Sequence, residues 1–184
     1  SFVKVWNAVT YKLIKTLAYR SHVTSVCFSS TGLSILASVA YDTPYIFKDY
    51  ENTDGETIML RGHTNWLEAS CFSYDGLKVM TGSCDNTAKL WDSTTGQEIL
   101  TLTGHANDVN AVAFSPDDRH VLTGSADGTA KLWDAENGHI IKTIQSHEKA
   151  VNSVSFSFPS GHQILTAGTD GSVKLWDTDS LHSG

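Results

Sequence analysis

A repeat with a period of about 42 residues constrains this 184-residue chain more than any other feature of its sequence. Aromatic residues recur at intervals of 41 to 44 residues: Trp6, Phe47, Trp91, Trp133 and Trp176. A second series consists of Phe28, Phe72, Phe114 and Phe156. A third series consists of Gly62-His63, Gly104-His105 and Ser146-His147. Because three independent markers share one period, the sequence indicates a tandem array of similar units.

Each unit contains four short segments with the alternation and β-branching of strands. In the unit spanning residues 104–145 the predicted strands are Val109–Phe114, Val121–Gly124, Thr129–Asp134 and His139–Ile144. Turn-forming residues separate them, most clearly Asp127-Gly128, which is typical of a tight hairpin. Helical periodicity is missing from the sequence. The chain is therefore predicted to be an all-β array of four-stranded units.

The unit that begins with Gly104-His105 and ends with Trp133-Asp134 resembles a WD40 repeat. The segments from Gly62-His63 to Trp91-Asp92 and from His147 to Trp176-Asp177 match the same pattern. The resemblance implies a WD40-type β-propeller, in which four-stranded antiparallel blades are arranged radially in a ring of seven or eight. It covers essentially the whole chain.

The resemblance assigns residues 1–184 to one propeller domain, divided into successive units. Residues 1–18 are predicted to be the third and fourth strands of a blade, and residues 19–62 a degenerate repeat. Complete repeats are predicted at 63–104 and 105–146, and a repeat lacking its last strand at 147–184. We expect a fragment of a longer chain that completes the ring. The alternative is a short chain that oligomerises to complete it.

A Ser, a His and an Asp recur in successive units, which invites comparison with a hydrolase triad. Tandem repetition favours a structural role instead, because a nucleophile is not expected once per repeat and no nucleophile-elbow sequence is present. The resemblance implies a buried hydrogen-bonded chain of Asp, His, Ser and Trp in each blade. Its predicted members are Asp85, His63, Ser83 and Trp91 in one unit, Asp127, His105, Ser125 and Trp133 in the next, and His147, Asp170 and Trp176 in the last.

Two units depart from this pattern. In the last one Gly168 stands at the Ser position, so its chain is predicted to be broken. In the degenerate unit Tyr19, Val39, Tyr41 and Phe47 occupy the four positions. Because a half-satisfied polar network is worse than an apolar one, this unit is predicted to be repacked with aromatic and aliphatic side chains.

Trp66 is the one tryptophan outside the periodic series, in a loop that the resemblance places on the narrower face around the central channel. An exposed Trp is a typical hot spot for a protein partner. The partner-binding candidates on this face are Trp66, Glu68, Asp108, Asn110, His22 and Asn152. The alternatives are that Trp66 packs against its neighbouring blade and that the polar candidates are solvated. The acidic loop at residues 48–56 is either a second contact site or a solvated connection.

Composition excludes several classes of function. The net charge is −7, which disfavours nucleic acids and anionic membranes as partners. Neither an apolar run long enough to span a bilayer nor a spacing of Cys and His typical of a metal site occurs. We therefore expect no cofactor, no metal and no membrane. The three cysteines lack a disulfide framework, which favours an intracellular location, cytoplasmic or nuclear.

The sequence thus favours a non-catalytic protein–protein interaction scaffold whose partners are other proteins or peptides. The alternative is a regulatory or sensor propeller within a larger signalling protein, with an ATPase or kinase domain outside this chain. A propeller fold alone does not choose between them.

Overall fold

A computed structural model describes residues 1–40, 43–51 and 55–178. Within these ranges the chain forms 17 strands in five antiparallel sheets, which we number 1 to 5 in chain order. Sheet 1 contains β1 (Phe2–Trp6) and β2 (Leu13–Ala18). Sheet 2 contains β3 (Val23–Phe28), β4 (Ser34–Val39), β5 (Tyr45–Lys48) and β6 (Thr57–Met59).

Sheets 3 and 4 also have four strands each, and sheet 5 has three in the described part of the chain. Sheet 3 contains β7 (Leu67–Phe72), β8 (Lys78–Ser83), β9 (Thr87–Asp92) and β10 (Glu98–Thr103). Sheet 4 contains β11 (Val109–Phe114), β12 (His120–Ser125), β13 (Thr129–Asp134) and β14 (Ile140–Gln145). Sheet 5 contains β15 (Val151–Phe156), β16 (Gln163–Gly168) and β17 (Val173–Asp177). Each strand pairs with its neighbour in sequence, which confirms the predicted all-β array of four-stranded antiparallel units.

Apolar side chains between successive sheets form the core. One cluster joins sheets 2 and 3, another joins sheets 3 and 4, and a third joins sheets 4 and 5. Trp91 lies in the first cluster and Trp133 in the second, exposed by 0% and 1% respectively. Removing such a buried aromatic side chain costs about 3–5 kcal/mol. Trp91 and Trp133 therefore mark the interfaces between sheets 2 and 3 and between sheets 3 and 4.

The first strands of sheets 2 to 5 lie side by side, which brings their backbones close together. Gly124 shows how close: a Cβ atom there would lie 2.7 Å from Cγ1 of Val151 and 2.8 Å from Cγ1 of Val154. Real Cβ atoms essentially never approach a neighbour within 3.0 Å. The glycine is thus required by packing between sheets 4 and 5.

The loops divide between two faces of the molecule. The top face carries the loops that precede each first strand, such as Gly62–Trp66, and the turns between second and third strands, such as Cys84–Asn86. These two are joined by bonds from Asn65 Nδ2 to Cys84 O and from Cys84 N to Trp66 O, at 3.0 and 2.8 Å. The opposite face carries the turns that follow each first and third strand.

On the opposite face Asp118 links sheets 3 and 4. Its carboxylate oxygens accept the backbone N–H groups of Tyr74 and Asp75, both at 2.8 Å. Tyr74 also stacks on Phe158 of sheet 5, with ring centroids 5.8 Å apart. These contacts connect sheets 3, 4 and 5 to one another at this face.

Candidate functional site

A buried polar chain runs through sheet 4 from the top face to the core. Asp127 Oδ2 lies 2.9 Å from His105 Nδ1, and His105 Nε2 lies 2.7 Å from Thr123 Oγ1. The indole Nε1–H of Trp133 donates to the same Thr123 oxygen at 2.9 Å. One tautomer satisfies all of these groups: Nδ1–H donates to the carboxylate, and Nε2 accepts the threonine hydroxyl proton.

Sheets 3 and 5 contain the same chain. In sheet 3 the three distances are 2.8 Å for His63–Asp85, 2.7 Å for His63–Thr81 and 2.8 Å for Trp91–Thr81. In sheet 5 they are 3.0 Å for His147–Asp170, 2.9 Å for His147–Thr166 and 3.0 Å for Trp176–Thr166. The structure therefore brings together the predicted Asp, His and Trp members of all three units.

The predicted serine members are wrong: the hydroxyl in the chain belongs to Thr81 and Thr123, not to Ser83 and Ser125. Ser125 instead donates to the carbonyl of Asn107 at 3.0 Å and accepts the backbone N–H of Asp127, also at 3.0 Å. Ser83 makes the equivalent two bonds, to Asn65 O and from Asp85 N. These serines stand at strand ends, two residues before the turn Asp, so their short side chains bond the local backbone.

The prediction that the chain is broken in the last unit is also wrong. Gly168 is equivalent to Ser83 and Ser125, which do not belong to the polar chain. Thr166 supplies the hydroxyl that His147 needs. A Cβ atom at Gly168 would lie 2.6 Å from Cγ of His147. The glycine thus makes room for the histidine ring.

The electrostatics keep His63 and His105 neutral and the facing Asp85 and Asp127 charged. Burial lowers the pKa of His63 and of His105 below the ordinary value, although each faces a carboxylate. For Asp127 burial raises the pKa, but hydrogen bonds from Thr129, Ala106 and His105 outweigh it, so the pKa is lowered overall. The hydroxyl of Thr123 is fully buried, so a substrate cannot reach it. This geometry supports a structural bond network.

Sheet 2 replaces the polar chain with rings. Tyr19, Ala37 and Phe47 stand where sheet 3 has His63, Thr81 and Trp91. The Tyr19 ring packs against Tyr45 and Phe47, with centroids 5.7 and 6.1 Å apart. This confirms the predicted aromatic repacking; Val39 is fully buried, and Tyr41 lies outside the described residues. The Tyr19 hydroxyl is buried without a hydrogen-bond partner among the described residues.

Trp66 lies on the top face beside a cavity of about 410 Å³. The cavity is lined by Thr43, Pro44, Leu60, Gly62, His63, Thr64, Asn65 and Trp66. The Trp66 residue is 41% exposed, so it offers part of its indole to a partner. Its backbone is fixed, because its N–H donates to Asn65 Oδ1 at 2.9 Å and its carbonyl accepts from Cys84 N.

Two predicted acids surround a thiol on the same face. Cys84 Sγ lies 3.3 Å from Glu68 Oε1 of the same sheet, and Asp108 approaches from sheet 4. Burial, followed by Glu68 and Asp108, raises the pKa of the Cys84 thiol to about 12. Beyond the effect of burial, the two carboxylates thus contribute a negative potential at this point of the top face.

The other predicted partner contacts are not part of this group. Asn110 is half-buried and donates through Nδ2 to Val151 O at 3.2 Å, which joins β11 to β15. His22 and Asn152 are exposed in sheets 2 and 5, and neither is among the described residues that line the Trp66 cavity. In the acidic loop 48–56, residues 52–54 lie outside the described ranges.

Two negative findings concern the described part of the chain. No group of three His, Cys, Asp or Glu side chains there has the arrangement of a metal site. In the same ranges, none of the helical segments is long and apolar enough to cross a membrane.

The model of one protein family, the WD domain, G-beta repeat (WD40), matches residues 55–92, 96–134 and 138–177. The chain belongs to the WD40-repeat family. It is 31% identical over 96 residues to chicken serine-threonine kinase receptor-associated protein, covering 52% of this chain and 27% of that protein. It is 32% identical over 94 residues to the Dictyostelium discoideum small ribosomal subunit protein RACK1, covering 48% and 29%.

A third relative is much longer. The chain is 34% identical over 95 residues to rat apoptotic protease-activating factor 1, covering 52% of this chain and 8% of that protein. The matched segments thus span less than a third of each of these relatives. WD40 repeats are generally non-catalytic modules that bind other proteins.

Proposed function

We propose that this chain is a non-catalytic protein–protein interaction scaffold that assembles or regulates a multiprotein complex through its top face. The observation that carries the proposal is the partly exposed Trp66 beside a cavity of about 410 Å³. A large aromatic side chain on a braced backbone gives contact area at little entropic cost. The cavity has room for one or two partner side chains.

The charge of the same face favours a particular partner chemistry. Glu68 and Asp108 contribute a negative potential at this face, and both raise the pKa of the Cys84 thiol. A partner segment with a basic or donor-rich side chain complements it, while an apolar side chain of the same segment covers Trp66. Asn110, His22 and Asn152 remain candidates for outer contacts.

The relatives support a role in assemblies. The chicken protein is named for association with a serine-threonine kinase receptor, and the Dictyostelium protein as part of the small ribosomal subunit. We place this chain in the same general class without transferring either partner. Its three cysteines are free thiols, in keeping with an intracellular location in the cytoplasm or nucleus.

The match to rat apoptotic protease-activating factor 1 favours a second candidate function. It covers only 8% of that protein, which shows that such repeats also occur as a small part of a long polypeptide. In that case this chain is the regulatory or sensor propeller of a larger signalling protein. An ATPase or kinase motif in the flanking sequence would identify this arrangement.

The test is affinity capture from native lysate with quantitative mass spectrometry. The bait is the full chain, compared with a Trp66→Ala, Asp108→Ala double variant. A matched control, Leu77→Ala with Arg119→Ala, changes exposed side chains on the opposite face. Melting curves first establish that all three are folded. Loss of partners in the top-face variant alone supports the proposal, and identical partner sets in all three contradict it.

A further inference from the structure

A groove crosses the side wall of the molecule between sheets 1 and 2. Its larger part, about 440 Å³, is lined by Ala18, Tyr19, Arg20, Tyr45, Phe47 and Thr57. A smaller part of about 170 Å³ is lined by Lys15, Leu17, Phe47, Lys48, Tyr50, Gly55 and Thr57. The two parts share Phe47 and Thr57, so they adjoin each other. We call them together the side-wall groove.

The groove exists because sheet 2 departs from the repeat. In sheet 3 the equivalent position is filled by Lys89, whose ammonium binds Glu98 Oε2 at 2.8 Å and Thr101 Oγ1 at 2.6 Å. In sheet 2 that position holds Tyr45, and Phe47 is smaller than the usual Trp. The outer strand β6 has only three residues, whereas β10 has six. The short strand leaves the aromatic rings accessible from the side.

The described residues that line the groove include three cations, Arg20, Lys15 and Lys48, and no Asp or Glu. Residues 1–40 contain four basic residues, Lys4, Lys12, Lys15 and Arg20, and no Asp or Glu, although the chain has a net charge of −7. Arg20 is exposed at the rim of the groove and has no ion-pair partner among the residues that the structure describes. A second cation, Lys15, lies at the wall.

From this geometry we propose that the side-wall groove binds an acidic, aromatic-containing peptide segment of a partner protein. A carboxylate of the segment pairs with the guanidinium of Arg20, which is suited to bidentate contact. A neighbouring aromatic side chain packs on Tyr45 and Phe47, where ring–ring contact adds to the buried area. This surface is distinct from the Trp66 site.

The structure favours a peptide over a nucleic acid. At the far end of the groove Lys48 Nζ lies 3.6 Å from Glu56 Oε2 and also donates to Thr94 O. Asp49 and Glu51 follow in the same loop. A phosphate backbone needs cations along its whole path, and this end repels it. A short segment with one or two carboxylates needs a cation only near Arg20.

The test is fluorescence anisotropy with a fluorescein-labelled Glu-Glu-Trp-Glu-Glu peptide. The protein is the full chain, as wild type and as Arg20→Glu, with Arg119→Glu on the opposite face as a charge-matched control. Thr57→Glu, which puts a carboxylate at the exposed floor of the groove, replaces Arg20→Glu if that variant does not fold. We expect saturable binding that weakens at least about tenfold in the groove variant and stays unchanged in Arg119→Glu and in Trp66→Ala.

Several outcomes would overturn the proposal. These are no binding to the wild type, equal weakening in Arg119→Glu, or equal affinity for the basic peptide Lys-Lys-Trp-Lys-Lys. Tighter binding of a single-stranded oligothymidine than of the acidic peptide would assign the groove to nucleic acid. Loss of binding in Trp66→Ala alone would assign the peptide to the top face instead.

Discussion

Trp91 donates its indole N–H to the hydroxyl oxygen of Thr81 at 2.8 Å, and this bond ties the third strand of sheet 3 to the second. The same oxygen lies 2.7 Å from His63 Nε2, so one hydroxyl satisfies two buried groups. Sheets 4 and 5 repeat the arrangement, and sheet 2 has Ala37 and Phe47 at these positions. The threonine is therefore the centre of the network.

Replacing the central hydroxyl should destabilise the protein. Thr81→Val keeps the shape of the side chain but leaves the Trp91 N–H and the His63 Nε2 without a partner. We expect a loss of about 1–3 kcal/mol in the free energy of unfolding, measured by urea denaturation. Thr16→Val, the same substitution at an exposed strand position, should change it by less than about 0.5 kcal/mol. Equal midpoints for the two variants would refute this role.

Removing the Tyr19 hydroxyl should, in contrast to removing that of Thr81, not destabilise the protein. Its hydroxyl is buried without a partner among the described residues, so Tyr19→Phe removes an unsatisfied group and keeps the ring contacts. We expect the free energy of unfolding to rise or to stay within about 0.5 kcal/mol of wild type. Differential scanning calorimetry measures the change. A loss above about 1 kcal/mol would mean that the hydroxyl has a partner after all.

Acid should destabilise the fold through the buried histidines. The pKa values of His63 and His105 in the folded protein lie below the ordinary value of 6.5, because burial disfavours the imidazolium. As the pH falls through 6.5, the unfolded chain binds more protons than the folded one, so the free energy of unfolding decreases. Urea denaturation between about pH 7.5 and about pH 5 measures this dependence. A His105→Asn variant should show a shallower dependence, and an identical slope would count against the explanation.

The acids of the top face should suppress the reactivity of Cys84. With its pKa raised to about 12, the thiol is almost entirely protonated near neutral pH. We expect slow alkylation by iodoacetamide, and at least several-fold faster alkylation in Glu68→Gln with Asp108→Asn. Peptide mass spectrometry follows each cysteine separately. Glu148→Gln removes an exposed charge elsewhere and should leave the rate unchanged; no acceleration in the double variant would argue against the negative potential.

Much of the fold could be predicted from sequence because the repeat is itself a structural unit. The predicted strand Val109–Phe114 has the same bounds in the structure, and Thr129–Asp134 does too. The turn residues Asp127-Gly128 likewise predicted the hairpin that joins β12 to β13. Local signals of this kind do not depend on the rest of the molecule.

The sequence could not show whether Thr123 or Ser125 supplies the hydroxyl that binds His105 and Trp133. Thr123 and Ser125 are two residues apart on one strand, so both recur with the period. Only the diagonal reach of the Trp133 indole across β12 and β13 selects the threonine. The side-wall groove was missed for a similar reason, since it depends on packing between sheets 1 and 2. Its sequence signal is the absence of acidic residues from residues 1–40.

We propose above that partners bind at the top face around Trp66. Site-specific photocrosslinking in cells tests it most directly, with a benzoylphenylalanine placed at position 66 or, on the opposite face, at position 77. Both positions are exposed, so both report contacts without burying the probe. We expect discrete protein adducts from position 66 that are absent from position 77. Adducts from position 77 alone, or the same adducts from both, would contradict it.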